Sequence, residues 1–356
     1  MRKTFYDHYI FKGSPLEVGC QHGEELRNLI RQHLERIYKD AYDMSGLNKA
    51  EALDFAETFE PYIKKYSPDF LVELEGLASG ANITKKEALL LQVRQEVTHK
   101  KRFYAGASEC TSFAVTSAYT SDGRTYSGQN ADLIGNFEPM MNIVTMAVTG
   151  KPQVMMVLPA GQISHSGMNS IGMSANCNFL YCNGWGKGYP RYLLSRLALE
   201  QMSFEAASLK LMLAERSSQR NILLCDSNGH IRDFELTHDA AAVVDGDEYF
   251  VHTNHFIIPD MKKYTASTEW EENDSRCRYN RLSSLIKSKK GKINNAVLKQ
   301  FMSDHENGDN SICVHPCMHN KYHTYITMIN NLTDCVMEAS RSNPCENEFA
   351  TYEFKF

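Results

Sequence analysis

The pattern of apolar and polar positions divides the chain into a helical first part and a strand-rich second part. Up to about residue 105, apolar residues recur at helical spacing. Ser-Pro-Leu-Glu at 14–17 and Thr-Lys-Lys-Glu at 84–87 are capping boxes, each of which begins a helix. Helices are therefore predicted over residues 14–42, 49–66, 70–77 and 84–99. Gly80 is predicted to end the third of them.

From Cys110 onward, short β-like runs replace the helical spacing. Ser121-Asp122-Gly123 separates the first two runs and predicts a hairpin. Strands are predicted over residues 113–118, 125–130, 142–149, 153–158, 171–178, 221–225, 231–236, 241–244, 249–253, 325–330, 335–339 and 349–354. Helices are predicted over residues 191–201, 204–215, 276–287 and 294–302. Because the strands are grouped apart from the helices, the pattern predicts an α+β layered sandwich rather than alternating βαβ units.

Composition and charge narrow the class of protein. The 356 residues are 42% hydrophobic and 10% aromatic, which supports a packed core and excludes a disordered chain. A net charge of −5 gives no general basic surface for nucleic acid, and no apolar run approaches the ~20 residues of a membrane helix. The first 15 residues lack the apolar core of a secretory signal, so the ten cysteines indicate reduced thiols. We expect a cytoplasmic enzyme with no nucleic-acid or membrane partner.

The junction between the two parts carries a cysteine in a position suited to chemistry. Cys110 stands where the strand-rich part begins, and an N-terminal-nucleophile (Ntn) enzyme needs its nucleophile there after cutting the chain in front of it. The freed α-amine, with a pKa of roughly 7.7–8.0, then serves as the base for the thiol. The alternative from this residue alone is that Cys110 is one of ten mostly buried, inert thiols.

Three later segments offer polar side chains near the ends of predicted strands. They are Gly-Gln-Asn-Ala-Asp at 128–132, Gly-Met-Asn-Ser-Ile-Gly at 167–172 leading to an amide-rich strand end at 176–180, and His-Thr-Asn-His at 252–255. Asp132 follows the hairpin and is predicted to return beside Cys110. Asn254 has a side-chain amide suited to an oxyanion hole. Each segment alone is weak evidence, because Asx residues after glycine commonly form turns, so their order is the more specific signal.

This ordered set resembles the acyl-CoA:6-aminopenicillanic acid acyltransferase (isopenicillin N acyltransferase) family over nearly the whole chain. The shared motifs are Ser-Pro-Leu-Glu-Val-Gly at 14–19 with His-Gly at 22–23, Cys-Thr at 110–111, Gly-Gln-Asn-x-Asp at 128–132, Gly-x-Asn-Ser at 167–170, His-Thr-Asn-His at 252–255, Ser-Ile-Cys at 311–313 and Arg341 before Pro344. The resemblance implies the four-layer αββα sandwich of Ntn hydrolases with a helical N-terminal segment. It also implies self-cleavage into two associated chains, residues 1–109 and the catalytic module 110–356.

The resemblance implies a role for each matching position. Cys110 would be the nucleophile and the new N-terminus. Asp132 would orient the catalytic centre and form an ion pair with Arg341. Asn254 would be the oxyanion donor, joined by the main-chain N–H of Phe179.

Glu109 departs from the family pattern, which has glycine before the nucleophile in its best-known member. Glycine eases the distorted backbone that self-cleavage needs, so Glu109 would either slow the cleavage or assist it through its carboxylate. After cleavage, Cys110 is expected to attack a small N-acyl amide and form a thioester, which passes its acyl group to water or to an amine. An acyl-CoA-dependent N-acyltransferase is the alternative. No cofactor is expected.

Other interpretations remain open from the residues. A papain-like hydrolase would pair Cys110 with His252, at a separation inside the ~130–150 residues of that class, but the local cysteine signature is absent. Cys-Val-His-Pro-Cys-Met-His at 313–319 holds four potential zinc ligands, yet this alternation is poor for a tetrahedral site, whose ligands usually come as two separated pairs. We therefore expect no metal. A non-catalytic scaffold is a further alternative, and the retention of Cys110 with Asp132 and Asn254 argues against it.

Overall fold

The structure, a computed structural model, describes residues 4–99, 109–134, 137–213, 215–318 and 321–355. The strands within these ranges are β1 (His8–Gly13), β2 (Glu109–Val115), β3 (Tyr126–Ile134), β4 (Met141–Val148), β5 (Val154–Pro159), β6 (Ser166–Asn169), β7 (Met173–Asn178), β8 (Arg220–Asp226), β9 (Ile231–Leu236), β10 (Ala241–Gly246), β11 (Tyr249–His252), β12 (Tyr322–Asn331), β13 (Val336–Arg341) and β14 (Phe349–Glu353). The α-helices are α1 (Pro15–Glu25), α2 (Arg27–Ser45), α3 (Lys49–Glu57), α4 (Glu60–Tyr66), α5 (Pro68–Ala81), α6 (Lys85–Gln92), α7 (Arg94–Thr98), α8 (Leu193–Leu199), α9 (Phe204–Leu213), α10 (Glu269–Ser288) and α11 (Asn295–Met302).

The strands form two sheets. The first has eight strands in the order β1-β4-β5-β6-β7-β8-β9-β10, and the second has six in the order β11-β2-β3-β12-β13-β14. Neighbouring strands are antiparallel, except that β1 and β4 are parallel.

The apolar side chains show that the two sheets are stacked between two layers of helices. Successive residues of β4 face opposite sides, as strand geometry requires: Val144 packs with α1–α9, whereas Ile143 packs against the second sheet. On the far side of the second sheet, Phe113 and Ile329 pack with α10 and α11. These contacts confirm the predicted αββα sandwich.

A strand that the sequence pattern did not predict ties the N-terminal helices to the first sheet. β1 lies at the edge of that sheet and pairs with β4 from His8 opposite Ile143 to Gly13 opposite Val148. Only Phe11 of this strand is buried, so its sequence lacks the apolar alternation by which a strand is recognised. β6, a four-residue strand, also had no predicted counterpart.

Gly80 does not end a helix, contrary to the prediction. The helix α5 passes through it and stops at Asn82, whose φ of 54° is left-handed. Gly80 lies where α5 crosses α1: a Cβ on it would be 2.2 Å from the carbonyl oxygen of Cys20, and a Cβ on Gly19 would be 1.9 Å from that of Glu73. The glycines are therefore needed because the two backbones approach closely.

Candidate active site

Cys110 is the second residue of β2, an interior strand of the six-stranded sheet. Its side chain faces the layer between the two sheets and is 3% exposed. In the pairing of β2 with β3, Glu109 lies opposite Asp132 and Cys110 lies opposite Ala131. The hairpin therefore brings Asp132 beside the peptide bond that joins Glu109 to Cys110.

Asn254 connects Cys110 to Phe179. It follows β11, which pairs with β2 up to His252 opposite Ser112, so the chain leaves the sheet beside Cys110. Asn254 Oδ1 accepts a hydrogen bond from the main-chain N–H of Cys110 at 3.0 Å, and Asn254 Nδ2 donates to the carbonyl oxygen of Phe179 at 2.9 Å. The structure thus brings these three residues together, with the carbonyl of Phe179 rather than its N–H facing Asn254.

A buried arginine that was not among the residues selected from the sequence joins the same groups. Arg278, on α10, donates from Nη1 to the carbonyl oxygen of Cys110 at 2.7 Å and to Thr111 Oγ1 at 2.9 Å. Its Nη2 donates to Asn254 Oδ1 at 2.9 Å. Asp274, one helical turn earlier, pairs with it at 2.7 Å, and both side chains are at most 1% exposed. Arg278 therefore supplies a buried positive charge that holds the backbone of Cys110.

Asp132 is fully buried, and its two carboxyl oxygens have different surroundings. Oδ1 accepts a hydrogen bond from Thr324 Oγ1 at 2.6 Å, whereas Oδ2 has no hydrogen-bond partner among the described residues. Burial raises the pKa of Asp132 to about 7, and the positive charge of Arg278 is the largest influence opposing that rise. A carboxyl group with this pKa and a free oxygen is suited to proton transfer near neutral pH.

Burial is also the main influence on the pKa of the Cys110 thiol. It raises the pKa of Cys110 to about 12, and the negative charge of Asp132 adds to the rise. The charge of Arg278 and hydrogen bonds from the main-chain N–H of Asp132 and the side chain of Gln129 lower this pKa, without outweighing burial. With this pKa the thiol is protonated at neutral pH, so any reaction of its sulfur as a nucleophile would require a base.

Arg341 does not form the ion pair with Asp132 that the resemblance implies. Its Nε instead donates to Glu138 Oε1 at 3.0 Å. The hydroxyl of Thr324 already occupies Asp132 Oδ1, and the guanidinium whose charge acts most strongly on Asp132 belongs to Arg278. The expected pairing is therefore corrected: no ion pair between Asp132 and Arg341 occurs in the described part of the chain.

His252, the partner of Cys110 in the papain-like alternative, is engaged elsewhere. Its Nε2 bonds to Glu235 Oε1 at 3.0 Å, and its Nδ1 bonds to the carbonyl oxygen of Thr253 at 2.9 Å. Burial lowers the pKa of His252, but the carboxylates of Asp233 and Glu235 outweigh it and raise the pKa to about 9. An imidazolium with both nitrogens bonded cannot act as the base for Cys110, so this geometry does not support the papain-like alternative.

A cavity beside Cys110 is lined by three arginines, Arg94, Arg191 and Arg220. Their Cζ atoms lie 4.7, 5.6 and 5.0 Å from the centroid of the Tyr192 ring. Nε of Arg191, and Nε and Nη2 of Arg220, are buried without a hydrogen-bond partner among the described residues. Buried guanidinium N–H groups without partners are costly, and these donors are suited to bind an anion.

Glu96 is a carboxylate that acts on Arg191, but it does not neutralise the arginine cluster. Its Oε1 accepts hydrogen bonds from the main-chain N–H of Arg191 at 2.9 Å and from Ser217 Oγ at 2.7 Å. Burial lowers the pKa of Arg191 to about 10, and the charge of Arg220 adds to this effect more than Glu96 offsets it. The described residues that line the cavity include three guanidinium groups and no carboxylate, which leaves the cavity with an excess of positive charge.

Comparison with known protein families identifies the family to which the chain belongs. The sequence profile of the family described as "Acyl-coenzyme A:6-aminopenicillanic acid acyl-transferase" matches residues 119–344. The chain belongs to this family. It is thus an enzyme of a family described as acyltransferases. The matched range includes Asp132, Asn254 and Arg278 and begins after Cys110.

Individual proteins that the chain is similar to include one curated sequence and several solved structures. The chain is 25% identical over 313 residues to the acyl-coenzyme A:6-aminopenicillanic-acid-acyltransferase 40 kDa form of Emericella nidulans, an alignment that covers 86% of this chain and 84% of that protein. Among solved structures, a mutant of conjugated bile acid hydrolase from Clostridium perfringens is 14% identical with a TM-score of 0.48, covering 69% of this chain and 97% of that one. Penicillin V acylase from Agrobacterium tumefaciens is 10% identical with a TM-score of 0.43, covering 71% and 80%.

Proposed function

We propose that this chain is a self-processing cysteine Ntn enzyme that cleaves a small N-acyl amide through a thioester on Cys110. The observation that supports it best is the hydrogen bond between Asn254 Oδ1 and the main-chain nitrogen of Cys110. In the uncut chain this bond fixes the peptide nitrogen in front of the thiol. Once the nitrogen has become an α-amine, the same bond holds the base beside the nucleophile.

Self-cleavage begins, in this proposal, with transfer of the Cys110 thiol proton to Asp132. The sulfur attacks the carbonyl carbon of Glu109, and the bond from that carbon to the Cys110 nitrogen breaks as the nitrogen takes up a proton. The result is a thioester of Glu109 on the Cys110 sulfur. The α-amine of Cys110 is free from this point, and hydrolysis of the thioester by water then frees the Glu109 carboxyl and the thiol. Residues 1–109 and 110–356 are then separate chains.

The mature enzyme then uses the same sulfur on its substrate. The α-amine, with an ordinary pKa of roughly 7.7–8.0, takes the thiol proton and returns it to the departing amine. The acyl group on the sulfur of Cys110 passes to water or to an acceptor amine. Asn254 remains the proposed oxyanion donor, and to act so its Nδ2 exchanges the carbonyl oxygen of Phe179 for the oxyanion.

The two chains are expected to stay associated, because the N-terminal segment is built into the first sheet. β1 pairs with β4 along its whole length, and α1–α7 share one apolar core with strands of the catalytic module. This supports the boundary between residues 109 and 110 as a cut within one folded unit.

The arginine cluster supports a substrate that carries a carboxylate. Arg191 and Arg220 together offer three buried N–H-bearing nitrogens without partners, and a planar guanidinium matches the two oxygens of a carboxylate. An N-acyl amino acid places such a group a few bonds from its scissile amide. The alternative acyl-CoA substrate would bring phosphates to the same charges, and the two are separated by which compound acylates Cys110.

The test is acylation of Cys110 by an N-acyl amino acid, compared with the same compound as a neutral carboxamide. Acid-quenched wild-type fragment 110–356 is expected to gain the mass of the acyl group. Arg220→Gln removes a charge-assisted hydrogen bond to the carboxylate, so about 10- to 100-fold more of the acid is needed for half-labelling, with little change for the carboxamide. Arg232→Gln, whose arginine pairs at the surface with Glu205 and Asp245, is the matched control.

Three other results would change this assignment. Equal losses for acid and carboxamide in Arg220→Gln would contradict carboxylate binding while leaving the acyl-enzyme intact. Labelling by an acyl-CoA alone would favour the acyl-CoA-dependent transferase. Absence of any adduct on cut enzyme, across acids, carboxamides and acyl-CoA, would contradict the thioester mechanism.

The rate of self-cleavage is expected to rise with pH through about 7. Asp132 accepts the thiol proton only when it is ionised, and burial raises its pKa to about 7. The other charged or titratable groups that act on Asp132 are Arg278, Asp274, Cys110 and His323. Newly translated precursor, chased in buffers from about two pH units below to two above neutrality, gives the profile. Asp132→Asn should cut slowly and lose the inflection. A wild-type profile that is flat through neutrality would contradict the role of Asp132.

None of the ten cysteines, all of which the structure describes, forms a disulfide, which supports our proposal that the enzyme works in a reducing compartment such as the cytoplasm. Among the residues that the structure describes, no helix combines the length and apolar character needed to cross a membrane.

A further inference from the structure

Four side chains outside the catalytic centre converge on one point. The cluster consists of His305, Cys313, His315 and Cys345. His305 and the next two ligands follow α11, whereas Cys345 lies in the turn after β13. Their ligating atoms all lie within 4.8 Å of one another. The cysteine in position 313 is buried, and the histidine and cysteine in positions 305 and 345 are exposed, so the cluster is open to solvent on one side.

The separations between these atoms match a tetrahedral metal centre. Zinc bonds of about 2.3 Å to sulfur and about 2.05 Å to nitrogen put two sulfurs about 3.8 Å apart, sulfur and nitrogen about 3.6 Å apart, and two nitrogens about 3.3 Å apart. The sulfurs of Cys313 and Cys345 are 3.7 Å apart. His315 Nε2 lies 3.8 Å from the first sulfur and 3.3 Å from the second. It also lies 3.1 Å from His305 Nε2.

We propose that this cluster is a structural Cys2His2 zinc site. Two thiolates and two imidazoles close the coordination shell, which is typical of a structural rather than a catalytic zinc. A sulfur separation of 3.7 Å is far beyond the ~2.05 Å of a disulfide. The carboxylate of Glu346 lies 4.0 Å from Nδ1 of His315, on the side of the ring away from the cluster, where a zinc-bound histidine finds its outer partner.

The zinc site would hold in place the loop around Val314, which is connected to Asp132 through Thr324. Val314, between two of the ligands, donates its main-chain N–H to Thr324 Oγ1 at 2.9 Å, and that hydroxyl donates to Asp132 Oδ1 at 2.6 Å. On the other side, Asn343 Nδ2 donates to the carbonyl oxygen of Val314 at 2.7 Å. The ion would therefore join the loop that bonds to Thr324 to the loop that carries Asn343 and Cys345, and it would contact no reacting atom.

This inference differs from the expectation, made from the sequence, that the chain has no metal site. That expectation considered only the ligands within 313–319, where the alternation is unsuited to a tetrahedron. The structure uses two of them, Cys313 and His315, and adds His305 and Cys345, which lie 10 and 30 residues from His315. Cys317 is not in the cluster, and His319 lies outside the described residues.

Metal analysis of the full chain, purified without chelator and dialysed against metal-free buffer, tests the proposal. Wild type is expected to hold about one zinc per chain. Cys345→Ser and His305→Ala are each expected to lose most of it, whereas Cys317→Ser, which changes a cysteine of the same loop outside the cluster, keeps it. Cobalt(II) in place of zinc should give the visible spectrum of a tetrahedral centre with thiolate ligands in wild type and not in Cys345→Ser.

Wild type with less than about a tenth of a zinc per chain would overturn the proposal, as would full zinc content in Cys345→Ser. A Cys313–Cys345 disulfide, seen by mass as the loss of two hydrogens under non-reducing conditions, would also overturn it. Should Cys345→Ser fail to fold, His305→Ala decides the question, because that side chain is exposed. Zinc content is independent of self-cleavage and of substrate, so this test stands apart from the proposed function.

Discussion

Wild-type protein held at neutral pH and then denatured is expected to separate into fragments 1–109 and 110–356, whereas Cys110→Ala stays a single chain of 40.5 kDa. In proportion to length, the fragments have masses of about 12 and 28 kDa. Intact-mass spectrometry resolves the three species, and the N-terminus of the larger fragment should begin Cys-Thr-Ser.

The effect should be all or none, because the attacking atom is lost while its setting is kept. Cys110→Ala removes the sulfur but leaves the main-chain N–H that donates to Asn254 Oδ1 and the carbonyl that accepts from Arg278. The barrier to uncatalysed hydrolysis of a peptide bond then remains. Activity on any substrate should disappear with the cleavage, since both steps use the same sulfur.

A second cysteine variant and a glycine variant make the result specific. Cys20→Ala, on an N-terminal helix, should cut like wild type. Cleavage of Cys110→Ala at the same bond would reveal a contaminating protease and contradict self-processing. An intact wild type that becomes cut in Glu109→Gly would locate the block at Glu109, through the backbone distortion that glycine eases. Intact protein in both would contradict an Ntn enzyme of this kind.

Arg278→Met is expected to abolish cleavage and to lower the free energy of unfolding by about 3–5 kcal/mol. The guanidinium is fully buried, so its removal leaves Asp274 as an uncompensated buried charge. It also removes the donors that hold the carbonyl of Cys110 and the amide oxygen of Asn254. Chemical denaturation measures the stability of the variant, and intact mass measures its cleavage.

The same helix supplies a matched control and a rescue. Arg276 pairs with Glu272 at the same four-residue spacing but with side chains 48% and 25% exposed, so Arg276→Met should cost less than about 1 kcal/mol and leave cleavage intact. Combining Arg278→Met with Asp274→Leu replaces the buried pair by apolar groups and should restore most of the stability. If the double variant regains both stability and cleavage, Arg278 is needed only for folding. If it regains stability but not cleavage, the result supports a role of Arg278 in positioning Cys110 and Asn254.

The two ion pairs on α10 also show why part of the site could not be predicted from the sequence. Asp274–Arg278 and Glu272–Arg276 have the same spacing and the same chemistry, and only tertiary packing makes one buried and the other exposed. By contrast, the meeting of Asp132 with Cys110 depends on a local hairpin, which the turn residues at 121–123 predict directly.

The same distinction applies to the fold. The grouping of strands and helices was sufficient to predict a layered α+β sandwich, because antiparallel strands follow one another along the chain without an intervening helix. β1 was missed because only Phe11 of this strand is buried, so its residues show no apolar alternation. The residues His305 and Cys345 were missed for another reason, since they lie far apart in the sequence and meet only through the tertiary fold.

The place of β2 between β11 and β3 has a consequence for the end that cleavage would create. Free chain ends usually fray, which disperses a terminal group over many positions. Here Cys110 lies opposite Ala131 of β3, and its main-chain nitrogen is hydrogen-bonded to Asn254. Fraying of this end would separate β2 from β3 and would also break the hydrogen bond to Asn254. The new amine would be confined within reach of its own thiol, at an effective concentration that a free amine in solution does not attain.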